Sequence, residues 1–138
     1  MSLVHRFAFS ARPIFNTICR RNLTVSAIRC DIFTVQDEED FKNKVRNSKV
    51  PVVIDFYASW CGPCKLLTPR LETVIGSQKD KVNLAKVDVD SLDAIAAEFE
   101  ITSVPAVFGM KNGKVVDKFV GLVDEDKIQA FVEKLAMK

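Results

Sequence analysis

Seven consecutive residues, Val52-Val53-Ile54-Asp55-Phe56-Tyr57-Ala58, constrain this chain more than any other stretch. The run opens after Pro51, is β-branched or aromatic at most positions, and carries one acid in its middle. Such side chains fit an extended, pleated backbone. A strand with no polar alternation is one covered on both faces, in the interior of a sheet rather than at its edge. The rest of the chain must therefore supply neighbouring strands and a layer of helix on each side.

The flanking sequence offers both. Asp31–Val35 reads as a short strand. Asp37–Arg46 reads as a helix with acids in its first turn and Phe41 and Val45 on one face. A loop from Ser59 to Gly62 leads from the central strand into a helix over Pro63–Lys79. Val82–Asp88 is a second buried strand, and Ser91–Phe99 a helix with Leu92, Ile95, Ala96 and Phe99 at helical spacing. Ala106–Met110 and Val115–Val120 flank Lys111-Asn112-Gly113-Lys114, and Asn-Gly between two strands is a strong hairpin signal. Asp124–Met137 closes the chain as a helix packed through Ile128, Phe131, Val132 and Leu135. The order β-α-β-α-β-α-β-β-α predicts an α/β fold of three layers. Parallel strands with right-handed crossovers come first, a hairpin adds antiparallel strands, and helices cover both faces of one mixed five-stranded sheet. At 138 residues and 48% hydrophobic content the chain can build such a core as one domain without disulfide staples or a metal.

Where the central strand runs out, the sequence reads Trp60-Cys61-Gly62-Pro63-Cys64-Lys65. A cysteine at a strand-to-helix junction lies near unpaired backbone N–H groups and the positive end of the helix dipole, and both favour the thiolate, the attacking species. Pro63 suits a first helical turn. The second sulfur falls on that turn, within disulfide reach of the first, so Cys61 can attack a substrate disulfide and Cys64 can resolve the mixed disulfide. A purely structural disulfide would close a four-residue loop, which removes little entropy from the unfolded chain. A zinc site within the chain needs four ligands, and beyond residue 30 there is no second CxxC and no histidine, His5 being the only one. A metal or cluster shared between two chains stays open. Lack of histidine also leaves a carboxylate or lysine as proton acceptor. Asp55 is the candidate, since burial among apolar neighbours raises a carboxyl's pKa toward that of a base suited to a thiol. A hydrogen-bonded structural acid is the alternative. Lys86, in the next strand, is placed either to pair with Asp55 or to serve as an ordinary edge lysine.

Charge divides the chain in two. Residues 1–30 hold five arginines, Arg6, Arg12, Arg20, Arg21 and Arg29, and no acid, with Ser2, Ser10, Thr17, Thr24 and Ser26 interleaved among apolar residues. That pattern is expected of a mitochondrial transit peptide, cleaved between residues 20 and 30, with a basic arm or a surface-lying helix as the alternatives. Arg6 and Arg12 interrupt the apolar stretch a secretory signal needs, and no segment approaches the roughly 18 apolar residues of a membrane span. The remaining residues carry 15 basic and 18 acidic side chains, which gives nucleic-acid binding no support. Cys19 and Cys30 are expected to leave with the leader, while Cys61 and Cys64 remain.

The segment Trp60–Lys65 resembles the active-site motif of the thioredoxin family. Val53–Ala58 is similar to the strand leading into that motif, and Lys86-Val87-Asp88-Val89-Asp90 to the next central strand. Val104-Pro105-Ala106 resembles the family's cis-proline loop, Lys111-Asn112-Gly113 its hairpin, and Val120-Gly121 the loop before its last helix. The resemblance spans residues 31–138 and, with the leader, points to mitochondrial members of the family. It implies Cys61 as nucleophile, Cys64 as resolving thiol and the two as a redox-active disulfide. Asp55 would accept the proton of Cys64 with help from Lys86, and Gly62 and Pro63 would set a reducing potential. Trp60, Val104, Pro105 and Gly121 would form an apolar rim that accepts an extended substrate peptide. Pro105 would be cis with its ring against the sulfurs, and Pro69 would kink the long helix. Tyr57 and Ala106 depart from the tryptophan and threonine common at those positions, which bears on partner choice rather than on sulfur chemistry. The implied partners are a thioredoxin reductase dependent on NADPH and protein disulfides such as those of peroxiredoxins. A monomer in the mitochondrial matrix with no cofactor of its own is expected.

Overall fold

In a computed structural model of the chain, residues 31–78 and 81–137 are described; the leader expected over residues 1–30 lies outside them. Five strands, β1 (Ile32–Thr34), β2 (Val52–Tyr57), β3 (Asn83–Asp88), β4 (Ala106–Lys111) and β5 (Lys114–Val120), form one sheet in the order β1-β3-β2-β4-β5. β1, β3 and β2 run parallel, and β4 and β5 are antiparallel to their neighbours. The apolar run is thus the middle strand, with β3 on one side and β4 on the other. A turn through Asn112 and Gly113, both with positive φ (51° and 73°), joins β4 to β5. This is the backbone that Asn-Gly favours in a two-residue hairpin.

The period-two pleat of β2 sorts its side chains to two cores. Val52, Ile54 and Phe56 face one layer with Val35, Phe41, Val45, Leu92 and Ile95, drawn from β1's end, α1 (Glu38–Phe41) and α3 (Asp93–Glu98). There Phe99 sits edge-on or tilted against Phe41, Phe56 and Phe108, with centroids 5.3–5.6 Å apart. Val53 faces the opposite layer, where Leu67, Leu71, Val74 and Ile75 of α2 (Gly62–Ser77) meet Ile128, Phe131, Val132 and Leu135 of α4 (Glu125–Met137). Burying each such side chain contributes about 1.5–3 kcal/mol. Asp55 lies on this second face, beneath α2.

Local sequence accounts for the boundaries. Asp37 caps α1, its carboxylate accepting from the Asp40 N–H at 2.7 Å. The helix predicted over Asp37–Arg46 is α-helical only to Phe41; Lys42–Arg46 widens to a π-helical turn, closed by the Asn47 N–H on the Lys42 carbonyl at 3.0 Å. Phe41 and Val45 are both buried. α2 runs on through Pro69 to Ser77. After α3, Glu100 takes a left-handed conformation (φ 55°) and the Ile101 N–H returns to the Ala96 carbonyl at 2.9 Å. That stop turns the chain back toward β4 and sets the loop holding Val104 and Pro105.

Candidate active site

Cys61 is the N-cap of α2. Its backbone is extended (φ −80°, ψ 111°), and its Sγ accepts the Cys64 N–H at 3.2 Å. A sulfur thus takes the place of the capping oxygen, so one of the helix's orphan donors is already aimed at it. Gly62 and Pro63 form the exposed first turn. Cys61 and Cys64 are joined as a disulfide with Cα atoms 5.4 Å apart. Both cysteines are nearly covered, packed in a small cluster with Ala58, Tyr57, Val89 and Val104.

Of the predicted rim, Val104 packs against this pair, Trp60 shares a groove with Val104, and Pro105 and Gly121 are bonded to each other. Trp60 is 70% exposed, and its indole N–H donates to an Asp90 carboxylate oxygen at 3.0 Å, which pins the ring across the end of β3. Trp60 and Val104 line one open groove of about 360 Å³ together with Val89, Asp93 and Ile101. The Val104–Pro105 bond is cis, Pro105 is buried, and its carbonyl accepts the Gly121 N–H at 2.8 Å. Gly121 has φ 92°, a conformation that favours glycine.

Asp55 has no exposed surface. Burial pushes its carboxyl up to about 6, against the opposing pull of the Thr68 hydroxyl and of Lys86. The Thr68 hydroxyl donates to Asp55 Oδ2 at 2.6 Å, while Oδ1 makes no hydrogen bond. Lys86 stands opposite Asp55 in the β2–β3 register, on an interior strand rather than an edge. Its ammonium, however, binds Glu72 of α2 at 2.9 Å, so the expected pair with Asp55 is replaced by a Lys86–Glu72 ion pair, and Lys86 acts on Asp55 only through space. Sequence reasoning missed Thr68 and Glu72. Their signal was present: Cys64, Thr68 and Glu72 follow one another at i, i+4 and i+8 beside the apolar stripe Leu67, Leu71, Val74 and Ile75.

A larger concavity, about 510 Å³, lies elsewhere, crossed by the Arg46–Glu98 ion pair and lined by Phe108, Met110 and Val116 of the hairpin. It holds no nucleophile. Among the described residues no group of three or more His, Cys, Asp or Glu is disposed to hold a metal ion, and no helix is long and apolar enough to cross a membrane.

Comparison with known proteins agrees with this geometry. The family model for thioredoxin matches residues 32–134. Mitochondrial thioredoxin of Bos taurus is 51% identical over 115 residues, covering 83% of this chain and 69% of that protein. A probable thioredoxin of Caenorhabditis elegans is 38% identical over 132 residues, covering 96% and 91%. The crystal structure of a Malassezia sympodialis thioredoxin superposes with a TM-score of 0.69 at 36% identity, covering 78% of this chain and 92% of the other. A dithiol pair that caps a helix beside a buried acid, in a sheet of this order, places the chain in the thioredoxin family of thiol–disulfide oxidoreductases.

Proposed function

We propose that this protein is a protein-disulfide reductase of the mitochondrial matrix, an electron carrier recycled by an NADPH-dependent thioredoxin reductase. The observation that carries the reading is Cys61 at the N-cap of α2 with Asp55 buried beneath the same helix. The reduced form starts with Cys61 as thiolate, stabilised by the Cys64 N–H and the helix N-terminus. That thiolate attacks one sulfur of a substrate disulfide, forming a mixed disulfide and releasing the other substrate sulfur as thiolate. Cys64 then gives its proton to Asp55 and attacks the Cys61 sulfur. The Cys61–Cys64 bond forms, the second substrate thiolate leaves, and two electrons have passed from the protein dithiol to the substrate. A base with a pKa near 6 suits this transfer because it is mostly ionised at neutral pH yet not too weak to take a thiol proton.

Lys86 assists by holding negative charge on Asp55 through space, and Gly62 and Pro63 keep the first turn open and the couple reducing. The groove between Trp60 and Val104, together with Pro105 and Gly121 that follow in the cis-proline loop and the turn bonded to it, accepts an extended segment around the substrate disulfide. Peroxiredoxin-type disulfides are among the substrates such a rim suits.

Mitochondrial residence rests on two supports: the acid-free, arginine-bearing residues 1–30, read as a transit peptide, and the mitochondrial thioredoxins among the relatives. The activity is tested by adding the protein to a thioredoxin reductase, NADPH and a protein disulfide. NADPH consumption that depends on the protein and vanishes with Cys61→Ser supports the reading. Consumption unchanged by Cys61→Ser, or none with either form, overturns it. Import into isolated mitochondria with loss of 20 to 30 N-terminal residues tests the location; a chain that stays outside and intact contradicts it.

A further inference from the structure

Among the described residues Thr68 is the one side chain that hydrogen-bonds Asp55, and it does so asymmetrically. Its hydroxyl carries a single hydrogen, spent on Oδ2 at 2.6 Å, so the other carboxyl oxygen is left buried and unpartnered. Thr68 is itself half-buried and lines an open groove of about 380 Å³ with Tyr57, Cys64, Lys65 and Glu72, so its hydroxyl stands between the buried acid and the surface next to the resolving cysteine. We propose that Thr68 is the positioning residue of the proton transfer: by fixing Oδ2 it leaves Oδ1 as the atom that takes and returns the proton of Cys64. This rests on the reading of Asp55 as proton acceptor.

The geometry explains what a hydroxyl does at this place. A carboxylic acid buried with no donor at all would ionise at a higher pH, so less of it would be ready to receive a proton at neutrality. A carboxylate held by donors on both oxygens would be too weak a base. One donor on one oxygen gives an acid that ionises near neutrality and keeps a free lone pair. The other groups that face Asp55 act at longer range and oppose one another: Lys86 from β3 favours the carboxylate and Glu72 from α2, its ion-pair partner, disfavours it. Tyr57 on the same strand is neutral at physiological pH, and Val107, the β4 residue opposite Asp55, carries no charge. Of the groups that favour the carboxylate, the Thr68 hydroxyl acts most strongly, and it alone does so by direct contact.

The test follows the Asp55 carboxyl by carbon NMR from pH 4 to pH 9 in the oxidised protein, alongside the pH profile of disulfide reduction. Thr68→Val keeps the branched shape and deletes the hydroxyl, Thr68→Ser restores it, and Thr68→Ala is the second deletion should valine not fit. Loss of a bond to the ionised form raises the midpoint by about one pH unit. With a base near 6 moved up by that amount, reduction slows about two-fold at pH 7 and about five-fold at pH 6, and recovers at higher pH. Thr68→Ser returns both readouts to those of the unaltered protein. A midpoint that stays put in Thr68→Val or Thr68→Ala, or one that serine does not restore, overturns the proposal. If the midpoint moves but the rate profile does not, Thr68 plays no part in the transfer; Asp55→Asn then decides whether Asp55 does, since unaltered turnover there removes the proton-acceptor reading itself.

Discussion

Asparagine in place of Asp55 removes a titrating charge from a site with no exposure and a single hydrogen-bond donor to the carboxyl. In the unfolded chain this group ionises near 3.8, and in the fold near 6. The folded pKa is the higher of the two, so the folded state binds the proton more tightly. Below about pH 4 the group is protonated in both states and costs nothing; as pH rises toward 6 the unfolded chain releases its proton first and stability falls. Above 6 the full penalty is present, about 3 kcal/mol at 1.36 kcal/mol per unit. Asparagine does not titrate, so the stability of Asp55→Asn relative to the unaltered protein grows by about 2.5 kcal/mol between about pH 4 and pH 7.5. The absolute offset is smaller, since the new amide brings a buried donor whose unmet bond costs about 1–3 kcal/mol; the slope is free of that term. Urea unfolding of both proteins at a series of pH values, with the disulfide intact, gives the difference directly. Two stability curves that run parallel from pH 4 to pH 7.5 would refute the placement of a strongly perturbed acid at Asp55. The same substitution slows turnover, so stability at neutral pH and catalytic competence oppose one another at this residue.

The Lys86–Glu72 pair gives two opposed shifts. Lys86→Met raises the Asp55 midpoint and Glu72→Gln lowers it, both read by carboxyl NMR, and movement in the same direction would contradict the through-space assignment. Gly109→Ala places a methyl 3.1–3.3 Å from Phe131 and Leu135 of α4, tighter than most packed side chains, so those side chains must give by a few tenths of an ångström. Thermal unfolding should show a loss of about 1–3 kcal/mol, with no loss counting against close packing of α4 on β4. Trp60→Ala strips the most exposed part of the rim and should raise KM for a protein disulfide while leaving reduction of a small dithiol-accessible disulfide unchanged; equal loss on both would place Trp60 in the sulfur chemistry instead.

Much of this was written in local sequence. The run Val52–Ala58 made β2 central because nothing in it alternates, and Asn112-Gly113 set the hairpin because both residues tolerate positive φ. The CxxC pair was legible because capping and proline preference act within four residues of each other. What escaped was fixed by contacts distant in sequence. Lys86 had a carboxylate in register across the strand pair, but the nearest carboxylate to its ammonium hangs from α2, 14 residues away in sequence. Thr68 looked like one more polar position on a long helix until the helix was laid over β2. The π-helical turn at Lys42–Arg46 has no local signature: residues 37–46 suit an α-helix, and Phe41 and Val45 would share a face in either form.

The central claim is that Cys61 attacks and Cys64 resolves. Single-turnover reaction of the pre-reduced protein with a protein disulfide, read by mass spectrometry of the quenched mixture, tests it most directly. The account predicts one substrate disulfide reduced per protein, a stable mixed disulfide through Cys61 in Cys64→Ser, and no reaction in Cys61→Ser. A mixed disulfide trapped through Cys64 in Cys61→Ser, formed as fast as the one through Cys61, would contradict it.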